Sequence, residues 1–356
     1  MAFSSPQLDQ LRESVRMATG SYPSSTAHTV YSNVYEVGPD SLLFTAALPD
    51  QYGDAQAKGI LLNRWTPAMA ARRLHLIPDL GFYYDHDALL YYCALAYLNN
   101  VPLALHGHTG VGKTELVRYF AALMGAPVYR MNLHGLSTTD DIVGKLLPVG
   151  AGKVGFQDGL VTTAVRQGGL LLLEEMNATG QEVWFALHGL LDGSRALVLV
   201  EKDNEVVVQH SACRIFSTFN PAEYPNLYPG TKELSAAYLR RWASVRVGFA
   251  SQDVERAIIL TQFPDYGCDE YAGILDTMLE VARVARKLLD DRTRSFEFVM
   301  STGVLVTWAS LSRFVGPLQG ARIAFYDIQN ENVKAVFRDQ IFSFVTDWDT
   351  RQLDSV

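Results

Sequence analysis

Two regimes of apolar and polar positions follow one another along the chain. Leu8, Leu11 and Val15 recur at helical spacing, and Gly20 can stop that helix. Residues 21–63 mix Ser, Thr, Gly and Pro with short β-like pieces over 30–37 and 42–48, which reads as a small accessory region. It carries little chemistry of its own, so packing or oligomer contact is its expected role. Pro78 and Asp79 break the chain ahead of residues 83–99, whose Leu, Tyr and Ala predict a buried helix. From Val101 the pattern changes. Short apolar runs at 101–105, 128–133, 170–173, 215–219 and 245–249 predict five strands, with helical stretches between several of them. The helix after the first run places Leu116, Phe120 and Leu123 on one face. Strands that alternate with helices predict a parallel sheet covered on both faces. After Ser251 the pattern is helical, over 254–262, 271–289, 303–314 and 332–347. The expected organisation is an accessory region over 1–75, an α/β core over 76–250 and a helical region over 251–356.

Composition narrows the function classes. The chain has 356 residues, 48% of them hydrophobic and 19% charged, as in a folded protein of two or three domains. Lys and Arg total 30 against 38 Asp and Glu, a net charge of -8. Proteins that live on phosphate-backbone contacts are usually basic, so nonspecific nucleic-acid binding is disfavoured. Cys93, Cys213 and Cys268 are far apart and form neither a CxxC nor a zinc spacing, which fits a reducing, cytoplasmic compartment. The longest apolar runs are too short to span a bilayer, so no membrane insertion is expected, and the first residues lack the apolar core of a secretory leader.

Three stretches carry chemistry. Gly107, His108, Thr109, Gly110, Val111, Gly112, Lys113 and Thr114 satisfy GxxxxGK[ST], after an apolar strand and before an amphipathic helix that continues with Glu115. The glycines let backbone N–H groups turn inward around phosphates, and the helix N-terminus adds its dipole. Lys113 then reaches the β- and γ-phosphates, and Thr114 offers a hydroxyl to Mg²⁺. The second stretch is the run Leu170 to Leu173 followed by Glu174 and Glu175. In open parallel sheets ligands bind at the C-terminal ends of strands. Glu174 is expected to hold the Mg²⁺ shell and Glu175 to polarise the attacking water. Asp is usual at the first position, and the extra methylene of Glu174 is expected to alter metal affinity. In the third stretch, Ile215 to Phe219 ends in Asn220 and Pro221. Asn220 can orient the attacking water, although Asn-Pro also starts turns.

These motifs, in this order, resemble an AAA+ ATPase. Finer details resemble the MoxR branch, which includes nitric-oxide-reductase and Rubisco activators and the small ATPase subunit of cobaltochelatase. Thr138 to Lys145 resemble that branch's "DLvGk" element, and Gly159 to Ala164 its "GpLv.A" segment, with 147–156 as an inserted hairpin between them. Residues 187–208 resemble the helix and hairpin before the sensor Asn. Tyr228, Pro229, Gly230 and Thr231, then Arg240, Arg241 and Trp242, look most like the cobaltochelatase subunit, as do Ile77, Pro78, Asp79 and Leu80. The likeness covers about residues 75 to 325. It implies a five-stranded parallel sheet flanked by helices, with a helical lid at the C-terminal side. It also implies a homo-oligomeric ring, most often a hexamer, that binds ATP and Mg²⁺ at subunit boundaries. Arg241, with Arg240 adjacent, matches the arginine that completes a neighbour's site, though a surface pair at a helix end remains the alternative. Relatives often act as chaperones on a protein partner, frequently one with a von Willebrand A domain. One departure stands out: the lid position where relatives carry an arginine holds Gly303, and Arg294 lies upstream.

Other residues were weighed. His106 and His108 lack paired-ligand spacing for zinc. Phe82, Tyr83, Tyr84, Tyr91 and Tyr92 read as core rather than as an adenine stack, and residues 77–79 are the better edge for a base pocket by resemblance. The expectation is Mg²⁺-dependent ATP hydrolysis that remodels or activates a partner. Two alternatives stand: a chelatase-like subunit that couples ATP to metal insertion into a tetrapyrrole, and a nucleotide-gated ring with little turnover.

Overall fold

A computed structural model describes residues 2–3, 34–38, 40–49, 55–81, 83–150, 152–291, 296–345 and 348. The expected first helix with Leu8, Leu11 and Val15, the start of the 30–37 strand, Phe82, Arg294 and residues 346–347 lie outside the described residues. The chain forms two compact units. The first comprises Met1–His106, Lys113–Glu223 and Gly230–Arg246, and the second Gly107–Gly112, Tyr224–Pro229 and Val247–Val356.

In the first unit, β1 (Ala2–Phe3), β2 (Val34–Gly38), β3 (Ser41–Pro49) and β4 (Ala55–Asn63) form an antiparallel sheet in the order β1-β4-β3-β2. Leu42, Leu43 and Phe44 are all fully buried, so this sheet is covered on both faces along β3. Phe44 packs on Phe120 at 5.6 Å, and Trp65 Nε1 donates to Tyr97 Oη at 2.8 Å. The helix predicted over 83–99 begins later, as α1 (Leu89–Asn99). Asp87 and Ala88 hold left-handed backbone at φ 52° and 58°, which no α-helix tolerates. The buried Asp85 carboxylate instead accepts the Leu90 N–H at 3.0 Å, satisfying one of the orphan donors at the helix start. Tyr83 and Tyr84 are buried without being helical.

The core continues with β5 (Leu103–His106), α2 (Lys113–Met124), β6 (Val128–Asn132), the hairpin β7 (Gly144–Gly150) and β8 (Lys153–Asp158), and α3 (Leu160–Gln167). Then come β9 (Gly169–Glu174), the hairpin β10 (Ala196–Leu199) and β11 (Glu205–Val208), β12 (Cys213–Phe219), α4 (Ala236–Leu239) and β13 (Ala243–Arg246). Five of these strands build one parallel sheet in the order β13-β5-β12-β9-β6. Every residue of β9 is buried, so its run of leucines marks a strand covered on both faces. The fifth strand, expected over 245–249, sits earlier, and Val247 already belongs to the second unit.

The second unit is helical, with α5 (Gln252–Gln262), α6 (Asp269–Asp290) and α7 (Thr302–Val315) around Met278, Trp308, Phe325 and Phe337. Ser251 and Ser301 cap α5 and α7 by accepting the N–H groups of Val254 and Val304. The fully buried Glu255 takes a bidentate pair from Arg286 at 2.6 and 2.8 Å, and Thr302 Oγ1 donates to it at 2.7 Å. The helix predicted over 332–347 is broken into a helix over Glu331–Val336, a π turn over Phe337–Ile341 and a 3-10 turn over Phe342–Phe344. The widened turn lets Phe337, Ile341 and Phe342 all enter the core, which an undistorted α-helix would spread around its circumference. Among the described residues no helix is long and apolar enough to cross a membrane.

Candidate nucleotide site

The glycine-rich loop runs from Gly107 to Gly112, directly after β5 and before α2. Gly110 and Gly112 take φ of 75° and 95°, which side chains resist and glycine adopts freely. A Cβ on Gly110 would lie 2.2 Å from Ser301 Oγ. Within the same unit, Gly303 N donates to Gly110 O at 3.2 Å. Gly303, where the resemblance leads one to expect a lid arginine, therefore meets this loop with a backbone N–H. Arg294, the substitute considered from sequence, is outside the described residues.

The first unit gathers the polar residues. Parallel pairing sets β12 between β5 and β9, so Asn220, just past β12, comes beside Glu174 and Glu175 at the end of β9. Lys113 Nζ donates to Asn220 Oδ1 at 3.0 Å, and Asn220 Nδ2 donates to Glu175 Oε2 at 2.8 Å. Asn177 Nδ2 holds the Asn220 carbonyl at 2.8 Å. A second chain runs beside the first. Thr114 Oγ1 donates to Glu174 Oε1 at 2.5 Å, and Arg130 Nε pairs with Glu174 Oε2. Glu175 sits in left-handed backbone at φ 53°, a strain of about 1 kcal/mol of the kind found where a side chain must be aimed. Asn220 also lines a cavity of about 300 Å³ with His106, Asn177, Phe219 and Lys232.

Burial shapes the charges of this relay. Lys113 is only 7% exposed, and burial pushes its pKa down to about 8 against the opposing attraction of Glu175. Burial likewise raises the Glu175 carboxyl, which Lys113 and the Asn220 hydrogen bond partly counter. A carboxylate with raised pKa, oriented by an amide and next to a cation, can accept a proton from water.

Of the remaining sequence-selected residues, His106 lines the same cavity as Asn220. Glu115 pairs with Arg118 on the surface of α2 at 2.9 Å. Arg240 is exposed at the end of α4. Arg241 is half-buried and donates from Nη1 to the Ala237 carbonyl, while its Nε has no partner among the described residues. Neither arginine hydrogen-bonds to Lys113, Glu174, Glu175 or Asn220 among the described residues. The His106 ring stacks on Phe219 at 5.5 Å. Sequence reasoning missed Arg130. The signal was there, a lone cation inside the apolar strand β6, two residues before its end.

Comparison with known proteins gives the setting. Residues 102–242 match the model of the AAA domain, dynein-related subfamily. Midasin of Dictyostelium discoideum is 37% identical over 152 residues, which is 43% of this chain and 2% of midasin. The chain thus spans a small part of that relative. The aerobic cobaltochelatase subunit CobS of Sinorhizobium sp is 26% identical over 270 residues, covering 73% of this chain and 80% of CobS. Protein CbbQ of Hydrogenophilus thermoluteolus is 29% identical over 257 residues, covering 72% of this chain and 91% of CbbQ.

Proposed function

We propose that the chain is an AAA+ ATPase of the MoxR branch, hydrolyses Mg²⁺-ATP at the C-terminal edge of its parallel sheet and uses the cycle to remodel or activate a protein partner. The relay from Lys113 through Asn220 to Glu175 carries this reading. In it the N–H groups of the loop from Gly110 to Lys113 and the Lys113 ammonium hold the phosphates. Glu175 takes the proton from the attacking water, and Asn220 fixes where that carboxylate points. The Thr114 hydroxyl and the Glu174 carboxylate are hard oxygen donors already in contact, which is the donor chemistry Mg²⁺ requires. Bound there, the ion would neutralise charge on the transferring phosphoryl group.

The working form in this reading is a homo-oligomeric ring, a hexamer by likeness to the branch, with Arg241 of each subunit completing the next subunit's site. The partner we favour carries a von Willebrand A domain. Three free thiols support a cytoplasmic setting. A second reading, a chelatase-like subunit that couples ATP to metal insertion into a tetrapyrrole, is favoured by the match to CobS over most of both chains.

Mixing tests the shared site. Arg241→Ala and Glu175→Gln subunits should each turn over poorly alone. Mixed rings should regain part of the activity, because some boundaries then join a sound arginine to a sound carboxylate. Rings confirmed as mixed that regain nothing at any ratio would sink the shared site.

A further inference from the structure

The reading above gives tasks to the loop from Gly110 onward and leaves His108 and Thr109 without one. One hydroxyl holds both. Tyr228 Oη lies 2.8 Å from His108 Nδ1 and 3.2 Å from the Thr109 backbone nitrogen. An N–H only donates, so the hydroxyl accepts from Thr109. Its contact with His108 Nδ1 is a second hydrogen bond whose direction follows the imidazole tautomer, since the hydroxyl can donate there or accept. The ring of His108 is stacked on Phe249 at 5.5 Å and 9°, and Tyr224 meets it edge-on at 5.0 Å. His108 and Tyr228 are both buried. One residue earlier, Gly107 leaves no room for a Cβ, which would fall 2.2 Å from Val247 O. All these residues belong to the second unit.

We propose that Tyr228 is a positioning residue for nucleotide binding: its hydroxyl, seated between His108 and the Thr109 N–H, sets the phosphate loop in its binding conformation. The proposal rests on reading Gly107 to Thr114 as that loop. A loop with three glycines has the most backbone freedom to lose on gripping a ligand. A bond at Thr109, immediately before the glycines that turn the N–H groups inward, removes part of that loss in advance, and preorganisation of this kind appears as affinity. Packing alone does not call for the hydroxyl, because a phenylalanine ring would fill the same space. The Tyr228 ring also meets the His108 ring, at 5.9 Å, but it is the hydroxyl that reaches the Thr109 N–H.

The test is a titration of each variant with a fluorescent ADP analogue, run beside steady-state ATPase kinetics and thermal melts. Tyr228→Phe should weaken nucleotide binding and raise KM for ATP roughly three- to tenfold, the range one neutral hydrogen bond supplies, with the loss falling on KM rather than on kcat. His108→Leu should lose a similar factor, and the double variant no more than either single one, because both break the same clamp. A lowered melting temperature with parental affinity and KM would make Tyr228 a packing residue and overturn the proposal. Fully additive losses would overturn it too. Lys113→Ala separates the two levels. If it loses binding while Tyr228→Phe keeps parental affinity, the clamp alone fails. If it binds as the parent does, the phosphate-loop reading fails and takes the clamp with it.

Discussion

Glu174 accepts from two donors at once, the Thr114 hydroxyl and the Arg130 guanidinium. Its side chain is 7% exposed while that of Arg130 is 56% exposed, so the cation can swing away into water and the carboxylate cannot. In the proposed reading Arg130 therefore competes with Mg²⁺ for Glu174. Replacing it by Met should lower the Mg²⁺ concentration for half-maximal ATPase activity by a few-fold, measured by titrating the metal at fixed ATP. An unchanged requirement would mean that the pair is broken whenever nucleotide is present. Lys113 gives a pH dependence of definite sign. Its pKa falls from 10.5 to about 8, mainly through burial. Phosphate binding needs the ammonium, so nucleotide affinity should fall as pH rises above about 8, by about tenfold per unit at most. Stability responds in the opposite sense. Between pH 8 and 10.5 the folded chain holds fewer protons than the unfolded one, and this group then favours folding as pH rises. Nucleotide titrations at pH 7, 8 and 9 measure the first effect.

Elements show what a one-dimensional pattern can carry. The four leucines of β9 and the acid pair after them are adjacent in sequence, and so are the glycines and Lys113. Their character is readable because neighbours along the chain supply it. Asn220 is readable as the end of a strand, but its contact with Lys113 and Glu175 depends on strand order, which no local pattern encodes. Arg130 escaped for the same reason. It reaches Glu174 because β6 pairs with β9 in a register that sets Asn132 opposite Glu174. The start of α1 was misjudged because a tertiary demand overrides helical spacing there: Asp85 is buried and turns back to Leu90. Burial raises the Asp85 pKa from 3.8 to about 7, against the Leu90 and Leu89 N–H groups. The folded chain then keeps a proton that the unfolded chain releases, so the stability this group contributes is full below about pH 4 and is lost as pH rises through 7. Asp85→Asn keeps the oxygen for Leu90 and removes the charge. It should melt above the parent at pH 8, with the gap closing at pH 5. Equal gaps at both values would show that Asp85 titrates normally.

At the scale of the molecule, the carboxylates, the lysine and the amide that the proposal assigns to a phosphoryl group belong to the first unit, and the loop from Gly107 to Gly112, with its tyrosine and helix-cap contacts, belongs to the second. Hydrolysis by Glu175 is the claim on which the rest depends. It is tested most directly by steady-state phosphate release from Mg²⁺-ATP, with ATP affinity measured on the same preparations of parent and Glu175→Gln. The substitution keeps the shape and the hydrogen bond to Asn220 while removing the proton acceptor. The account predicts that Glu175→Gln binds ATP at least as tightly as the parent and loses turnover by about a hundredfold or more. Turnover at the parental rate in that variant, with ATP affinity intact, would contradict it.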